Sequence, residues 1–373
     1  MIDTRIYDLA ISFLDGIGDI NAKKLVSYFS NAKEVFHAKL KDLNSISGIG
    51  NVKAKTLYLS FEKALQLAQE ELVYVYSNEI DFVCFGDKNY PYRLKECDDA
   101  PMVLYYKGSH DFNAQKIISV VGTRKASNYG IEFVEKLISS ISEKYPETVI
   151  VSGLAYGIDI AAHKFALNYG LKTWAVLGHS LEFIYPAVHK ATVKKMLEQE
   201  GCVLSDYPHG SKIDPSHFAK RNRIVAGLCD ALVVVESGEK GGSMITANLA
   251  NHYNRDVFAL PGSINSSYSK GCNRLIKTNR ANLIESLEDI EYIMNWSDGK
   301  PSDLQKKLDL ISDLNENEIK VVNILKKHEY LDIDNLLRQT EMDNNSLSLC
   351  LLELEFKNLV RALPGKIFSL KIK

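Results

Sequence analysis

An α/β fold is what this sequence predicts: a parallel sheet covered by helices on both faces, with a helical domain before it and a winged-helix-like domain after it. Three observations carry that prediction. Six near-continuously apolar runs between residues 116 and 262 alternate with amphipathic stretches, the mark of parallel strands buried on both faces by crossover helices. The N-terminal part contains two copies of G-I-G-x-x-x-A-K-x-L, 32 residues apart. The C-terminal part reads as helix, helix, helix and hairpin, with the hairpin turning near Pro364-Gly365.

A chain of 373 residues accommodates roughly two to three domains. The expected boundaries are 1–75 for the helical domain, 76–294 for the sheet domain, 295–311 for a polar linker and 312–373 for the winged-helix-like domain. Hydrophobic residues make up 46% and charged residues 25%, a globular balance. No apolar run approaches the ~18–20 residues that span a bilayer. The N-terminus carries Asp3 and Asp8 and has no basic head or small-residue cleavage site, so a cytoplasmic protein without a membrane partner is expected. Its six cysteines form no CxxC pair and its nine histidines no close pair of metal-ligand spacing, so neither a metal nor a cofactor is expected. The net charge of −2 hides segregation: Lys240 to Ile284 holds six Lys/Arg and one acid, whereas Glu285 to Lys320 holds ten acids and four bases. That pattern points the central segment toward an anionic partner.

In order along the chain, "GIGDINAKKL" (16–25) and "GIGNVKAKTL" (48–57) each read as a glycine hairpin opening a helix, the helix-hairpin-helix pattern. The pair fits either modules that grip nucleic-acid phosphates through exposed amides or a small helical domain that uses Gly turns for packing. Asp19 opposes a phosphate at the first hairpin, and Lys53 and Lys55 favour one at the second. A connector (81–109) has strand-like runs broken by Tyr-Pro and Ala-Pro. Strands then read at 116–121, 148–153, 172–178, 202–207, 230–237 and 256–262, and ligands of such sheets bind at the strands' carboxyl ends.

Four loops at that edge carry Gly or cations. "VVGTRKAS" places Gly122, Thr123 and Arg124 between a strand and a helix capped by Ser127 or Asn128, a pattern suited to phosphate. "SGLAYGIDIAAH" and "GEKGGSMITA" supply Gly153, Gly157, Gly241, Gly242, Ser243 and Thr246, and neither is a Walker loop or a strict GxGxxG fingerprint. "FAKRNRIVAG" (218–227) sets Lys220, Arg221 and Arg223 at a helix head, with no carboxylate nearer in the chain than Asp214 or Asp230. Cations there oppose the helix dipole at roughly 0.3–1 kcal/mol each, a cost that a bound anion removes. A second basic stretch holds Lys270, Arg274, Lys277 and Arg280. Phe218, Tyr156 and Tyr268 are interleaved rings on which unstacked bases could lie. Asp159 and His163 stand at i, i+4 and read as a structural contact, since no Ser or Cys nucleophile with a base accompanies them.

Taken together, "VVGTRKAS", "SGLAYGIDIAAH", "FIYPAVH", "SDYPHG", "HFAKRNRIVAGL", "GGSMITANLA", "ALPGSINSSYSKGCNRLI" and the upstream "DKNYPYRL" resemble the DprA (Smf) family of DNA-processing proteins of natural transformation, over about residues 5–373. The resemblance implies an extended Rossmann-like domain that binds single-stranded DNA without catalysis. It also implies a homodimer that loads a RecA-type recombinase onto strands covered by single-strand-binding protein. Carried over by position, phosphate contacts fall on Gly122, Thr123, Arg124, Lys220, Arg221, Asn222 and Arg223, with Ser243, Lys270 and Asn273 as further contacts and Phe218 as a base contact. Two positions depart from the family: Ala219 stands where Pro is frequent, and Tyr156 where Lys or Arg is, so Tyr156 is expected to exchange a phosphate contact for stacking, as Tyr268 also could. The fold is shared with nucleotide-cleaving phosphoribohydrolases, whose Pro-Gly-Gly-x-Gly-Thr signature is absent; a nucleotide-binding or nucleotide-cleaving enzyme is the alternative reading, and a scaffold without ligand a third. In the tail, "NNSLSLCLLELEF" (344–356) has no Lys or Arg and two Glu, so this module is expected to bind protein or its own chain rather than duplex DNA.

Overall fold

The structure, a computed structural model, describes residues 5–109, 111–296, 314–326, 328, 330–357, 359–363 and 366–370. The chain divides into two compact units, Met1–Trp296 and Ser297–Lys373. Most of the expected linker lies outside the described residues.

The first unit opens with six helices, α1 (Arg5–Ala10), α2 (Asp19–Phe29), α3 (Ala32–His37), α4 (Leu40–Asn44), α5 (Asn51–Leu59) and α6 (Phe61–Ser77). Each G-I-G stretch turns the chain into the next helix. Gly16 and Gly48 stand at φ +73° and +87°, where a Cβ would be strained, and the Ala and Leu of each repeat (Ala22, Leu25, Ala54, Leu57) are buried. These helices share one core with the strands β1 (Asp81–Cys84) and β2 (Val103–Gly108), Leu9, Leu25, Leu57 and Leu72 packing in it with Phe82, Val103 and Tyr105.

After the short helix α7 (Tyr92–Lys95) come β3 (Ile117–Val121), α8 (Asn128–Lys144), β4 (Val149–Ser152), α9 (Ile158–Asn168), β5 (Thr173–Val176), α10 (Lys190–Glu198) and β6 (Cys202–Ser205). The chain continues through α11 (Pro215–Leu228), β7 (Ala231–Val234), α12 (Gly242–His252), β8 (Asp256–Ala259), α13 (Lys270–Lys277), β9 (Asn282–Leu283) and α14 (Leu287–Ile293). The nine strands lie in the order β1-β2-β6-β5-β4-β3-β7-β8-β9. From β6 to β9 all neighbours are parallel. The six expected strands are parallel, and the connector adds two more at one edge, where β2 runs antiparallel to β6 and β1 antiparallel to β2. Those strands come from the connector, whose only helix is the four-residue α7, and an antiparallel partner needs no crossover helix.

Side chains alternate across β3 in the manner that two-sided burial demands. Ile118 and Val120 join α8, α9 and α14 in one core, while Ile117 and Val121 join α11, α12 and α13 in another. The N-terminal end of the sheet is held by Arg93, almost wholly buried, which donates from Nε and Nη2 to the two oxygens of Asp230 at 2.6 and 2.9 Å. The "DKNYPYRL" stretch is therefore a structural clamp. The chain builds β4, β5 and β6 on one side of β3, then returns through α11 to place β7 on the other. A ligand crevice is expected where the carboxyl ends of β3 and β7 diverge.

The expected Asp159–His163 contact does not form. His163, fully buried, bonds through Nδ1 to Thr173 Oγ1 at 2.7 Å, and that hydroxyl donates its own hydrogen to Ile150 O at 2.8 Å. Nδ1 must then be the donor, leaving Nε2 buried without a partner among the described residues. Burial, with the His189 and Arg221 charges, pushes the His163 pKa down to about 3. A folded-state pKa below the unfolded value of 6.5 means that unfolded chain binds the proton first, so stability falls as pH drops from 6.5 toward 3. At pH 5 this group alone is expected to remove about 2 kcal/mol relative to pH 7. Urea midpoints at the two pH values should separate less in His163→Leu than in the wild type; equal separation would refute the assignment.

The second unit contains α15 (Glu316–Leu325), β10 (Leu331–Asp332), α16 (Ile333–Thr340), α17 (Asn344–Phe356), β11 (Val360–Leu363) and β12 (Ile367–Leu370), with strand order β10-β12-β11. The expected order of three helices and a hairpin is present, with the short strand β10 between the first two helices pairing with the hairpin. The turn expected at Pro364-Gly365 lies outside the described residues, between Leu363 and its register partner Ile367. No helix among the described residues is long and apolar enough to cross a membrane.

Candidate nucleic-acid interface

A cleft of about 400 Å³ opens at the carboxyl ends of β3 and β7. Its walls are the turn after β3 (Gly122, Thr123, Arg124), the first turn of α9 (Asp159), the head of α11 (Phe218, Arg221, Asn222) and the start of α12 (Gly241, Gly242, Ser243). Gly157 stands at φ +75°, and a Cβ there would overlap Thr123 O and the Arg124 carbonyl. Only glycine lets the α9 turn support the Arg124 loop this closely.

Four helix N-termini border the cleft, and three are already matched to a carboxylate. At α8, Ser127 donates from its backbone N and its Oγ to Glu236 at 2.9 and 2.6 Å. That helix start, expected to receive a phosphate, is occupied by a buried protein carboxylate. At α11, Asp214 accepts from Ser216 N at 2.7 Å. At α9, Asp159 lies in the first turn. Burial pushes the Asp159 carboxyl above the ordinary range, against the Arg221 charge and the backbone N–H groups of Ala155, Gly153 and Gly122 that favour its ionised form. By contrast, α12 follows Gly241 with no side-chain cap and no acid in its first turn. Its free amides and positive dipole end face the cleft.

The three cations of "FAKRNR" go three ways. Lys220 is exposed and has no ion pair among the described residues. Arg221 is buried beneath the cleft, where Nη1 donates to Gly153 O at 2.6 Å and to Val176 O. Gly153 makes room for it: a Cβ there would lie 2.6–2.7 Å from three guanidinium atoms. Arg223 turns from the cleft and donates to Asp206 at 2.5 Å, to Asp19 at 3.2 Å and to Asp99 O. Burial opposes its charge, but Asp206, Asp19 and Asp99 outweigh burial and raise its pKa. Arg223, expected as a phosphate contact, is held here in a structural ion pair, because folding brings two carboxylates to it that are not neighbours in the chain. Asp19, in turn, accepts from Met102 N at 2.9 Å, and Lys23 donates to Asp98 O at 2.5 Å. The first G-I-G turn is therefore seated on the connector, whereas Lys53 and Lys55 beyond the second are exposed.

Other expected residues divide similarly. Arg124 is exposed and lines the cleft without an ion pair among the described residues, and Asn222 donates weakly to Gly242 O at 3.4 Å. Buried Ser243 donates to Ser237 Oγ at 2.7 Å, stitching α12 to the loop after β7. Asn273 uses both ends of its amide on the backbone of Gly262, at 3.1 and 2.8 Å, and so shapes the loop after β8 instead of facing the cleft. Lys270 is exposed at the first position of α13, beside the loop of Ser237, whose carbonyl accepts from Gly271 N at 2.8 Å. Tyr268 is half-buried, its carbonyl accepting from Ser237 N at 2.6 Å. Tyr156 is exposed and edge-on to His189, ring centroids 5.1 Å apart. Sequence reasoning missed Glu236, which no local signal links to Ser127, and Tyr185, whose ring lies 5.8 Å from Phe218. The six cysteines are free and buried, with burial holding Cys229 at about 11 and Cys272 at about 12, so no thiolate nucleophile is offered.

Residues 81–295 match the family model described as DNA recombination-mediator protein A, and residues 306–366 match the DprA winged helix domain. The DNA processing protein DprA of Streptococcus pneumoniae is 38% identical over 275 residues, covering 74% of this chain and 93% of that protein. The Bacillus subtilis DprA is 35% identical over 240 residues, covering 64% of this chain and 80% of that protein. Among solved structures, the S. pneumoniae protein aligns at TM-score 0.66 and 36% identity, over 78% of this chain and 98% of its own. A DNA processing protein A from Helicobacter pylori, solved for its single-stranded DNA binding mode, aligns at TM-score 0.52 and 29% identity, over 58% of this chain and 95% of its own. With the family model spanning more than half its length and its winged-helix tail matched as well, this chain belongs to the DprA (Smf) family of DNA recombination-mediator proteins.

Proposed function

We propose that this chain binds single-stranded DNA along the carboxyl edge of its sheet and passes the strand to a RecA-type recombinase, acting in the cytoplasm as a homodimer on strands covered by single-strand-binding protein. The observation that carries the binding reading is the uncapped N-terminus of α12 opening into a cleft beside Arg124 and Lys220, neither of which has an ion pair among the described residues. Backbone amides and two exposed cations neutralise phosphates without reading bases, so binding is sequence-tolerant. The H. pylori relative's single-stranded DNA binding supports the choice of ligand. The winged-helix unit is left out of the DNA path: α17 carries no Lys or Arg and exposes Leu349, Leu352 and Phe356, a surface for protein contact.

Anisotropy titration of a labelled oligo-dT at several salt concentrations tests this. Each phosphate contact contributes a slope of ~0.7 in log affinity against log salt. The Arg124→Ala, Lys220→Ala double variant is expected to bind more weakly, with a slope shallower by roughly 1.4 and an unchanged thermal midpoint. An unchanged slope would overturn the assignment. Tight mononucleotide binding with turnover would favour the nucleotide-cleaving alternative.

A further inference from the structure

The carboxyl edge is not uniform along the sheet. On the β7–β8 side it carries the exposed cations Lys240 and, at the first position of α13, Lys270, without ion pairs among the described residues. On the β4–β6 side its loops carry rings instead. Tyr156 meets His189 edge-on at 5.1 Å, Tyr185 meets Phe218 at 5.8 Å and 40°, and Tyr207 stacks on His217 at 4.2 Å. Only Phe218 of these rings lines the cleft itself.

Resting on the single-strand reading above, we propose that Tyr185 forms with Phe218 a two-ring step that receives the nucleobase next to the one held at the cleft. The strand then crosses the edge with its phosphates toward β7–β8 and its bases toward β5.

Phe218 is held in place by Gly178, just past β5. A Cβ there would lie 3.0 Å from Phe218 Cδ1 and 3.2 Å from its backbone N and Cα, so the head of α11 is seated directly on the end of that strand. Tyr185 is backed on one side by His179, whose ring stands at 87° to it and itself stacks on Phe183 at 4.7 Å. His179 is buried and bonds through Nδ1 to Ser180 O; burial lowers its pKa, so an uncharged ring supports the step. On its other side Tyr185 is open, with 49% of its surface accessible. Its hydroxyl has no hydrogen bond among the described residues, so the ring is not anchored as a structural tyrosine is. An exposed, supported ring beside one that lines the phosphate cleft suits a planar π-faced ligand of any sequence.

The test compares oligo-dT with an abasic oligonucleotide of equal length, which has the same phosphates and no bases. Wild type is expected to prefer dT. Tyr185→Ala should lower affinity for dT on the order of tenfold while leaving abasic affinity and the dT salt slope unchanged, and Tyr185→Phe should restore dT binding. Quenching of a 2-aminopurine placed in the strand should fall with the Ala variant and return with Phe. Equal losses on both oligonucleotides, or no loss on either, would overturn the proposal while leaving strand binding intact. If wild type bound neither oligonucleotide, the single-strand reading would itself fail, and this proposal with it.

Discussion

Arg223→Ala is expected to destabilise the first unit by about 3–5 kcal/mol. The guanidinium joins three parts of the chain: Asp206 just past β6, Asp19 at the head of α2, and the Asp99 carbonyl in the connector. Side-chain exposure of 12% for Arg223 and 10% for Asp206 removes most of the solvent screening that makes surface pairs weak. Deleting the cation leaves Asp206 in a low-dielectric site with its charge unbalanced, which is the costly way to break a buried pair. Replacing Asp206 by Asn in the same chain should therefore recover part of the loss, giving a double-variant cost below the sum of the singles. Urea midpoints with unchanged m-values would report this. A single variant within about 0.5 kcal/mol of wild type would show that the pair does not hold the helical region to the sheet. The consequence for function is specific: loss of strand affinity in this variant would track the unfolded fraction, unlike the loss in Arg124→Ala, Lys220→Ala.

That contrast shows what the sequence discloses. Lys220 and Arg223 share a helix face by spacing, and periodicity alone assigns them one role. Their roles part because Asp19 reaches Arg223 across 204 positions of chain, while Lys220 has no ion pair among the described residues. The strands β3 to β8 were legible because burial on both faces makes them continuous apolar runs, a local property. The direction of β1 and β2 was not, since it depends on which edge they meet. Likewise "VVGTRKAS" was legible as a turn at the carboxyl edge, but the anion at its helix is Glu236, 109 positions from Ser127. With that helix start matched to Glu236, α12 is left as the helix start at the cleft with no side-chain cap and no acid in its first turn. The glycines around the cleft were legible as turn residues. That Gly153 exists to admit Arg221 was not, because the two are 68 positions apart.

Arg221→Ala is the other large effect, expected at roughly 2–5 kcal/mol, and it differs in kind from Arg223→Ala because Arg221 lies beneath the cleft itself. Its Nη1 ties the ends of β4 and β5 together by donating to Gly153 O and Val176 O. Asp159 is the opposing charge that acts on it most strongly, and burial works against the ionisation of both. Without the guanidinium, two buried carbonyls lose their donor and Asp159 loses its counter-charge. The Gly122, Gly153 and Ala155 amides that surround that carboxylate would then carry it alone. Arg221→Lys should recover part of the stability, because an ammonium keeps the charge opposite Asp159 and, like Nη1, offers one nitrogen to both carbonyls, but lacks the rest of the guanidinium that fills the space Gly153 leaves. The cleft floor should loosen with the loss, so strand affinity should fall in the folded fraction as well, while the salt slope stays near wild type because no phosphate contact has been removed. Affinity measured well below the denaturation midpoint, set beside that slope, separates the two possibilities. A slope shallower by ~0.7 with wild-type stability would mean that Arg221 touches phosphate directly after all. An unchanged slope with lost stability would place it under the site, as the support on which the α9 turn and the Arg124 loop rest.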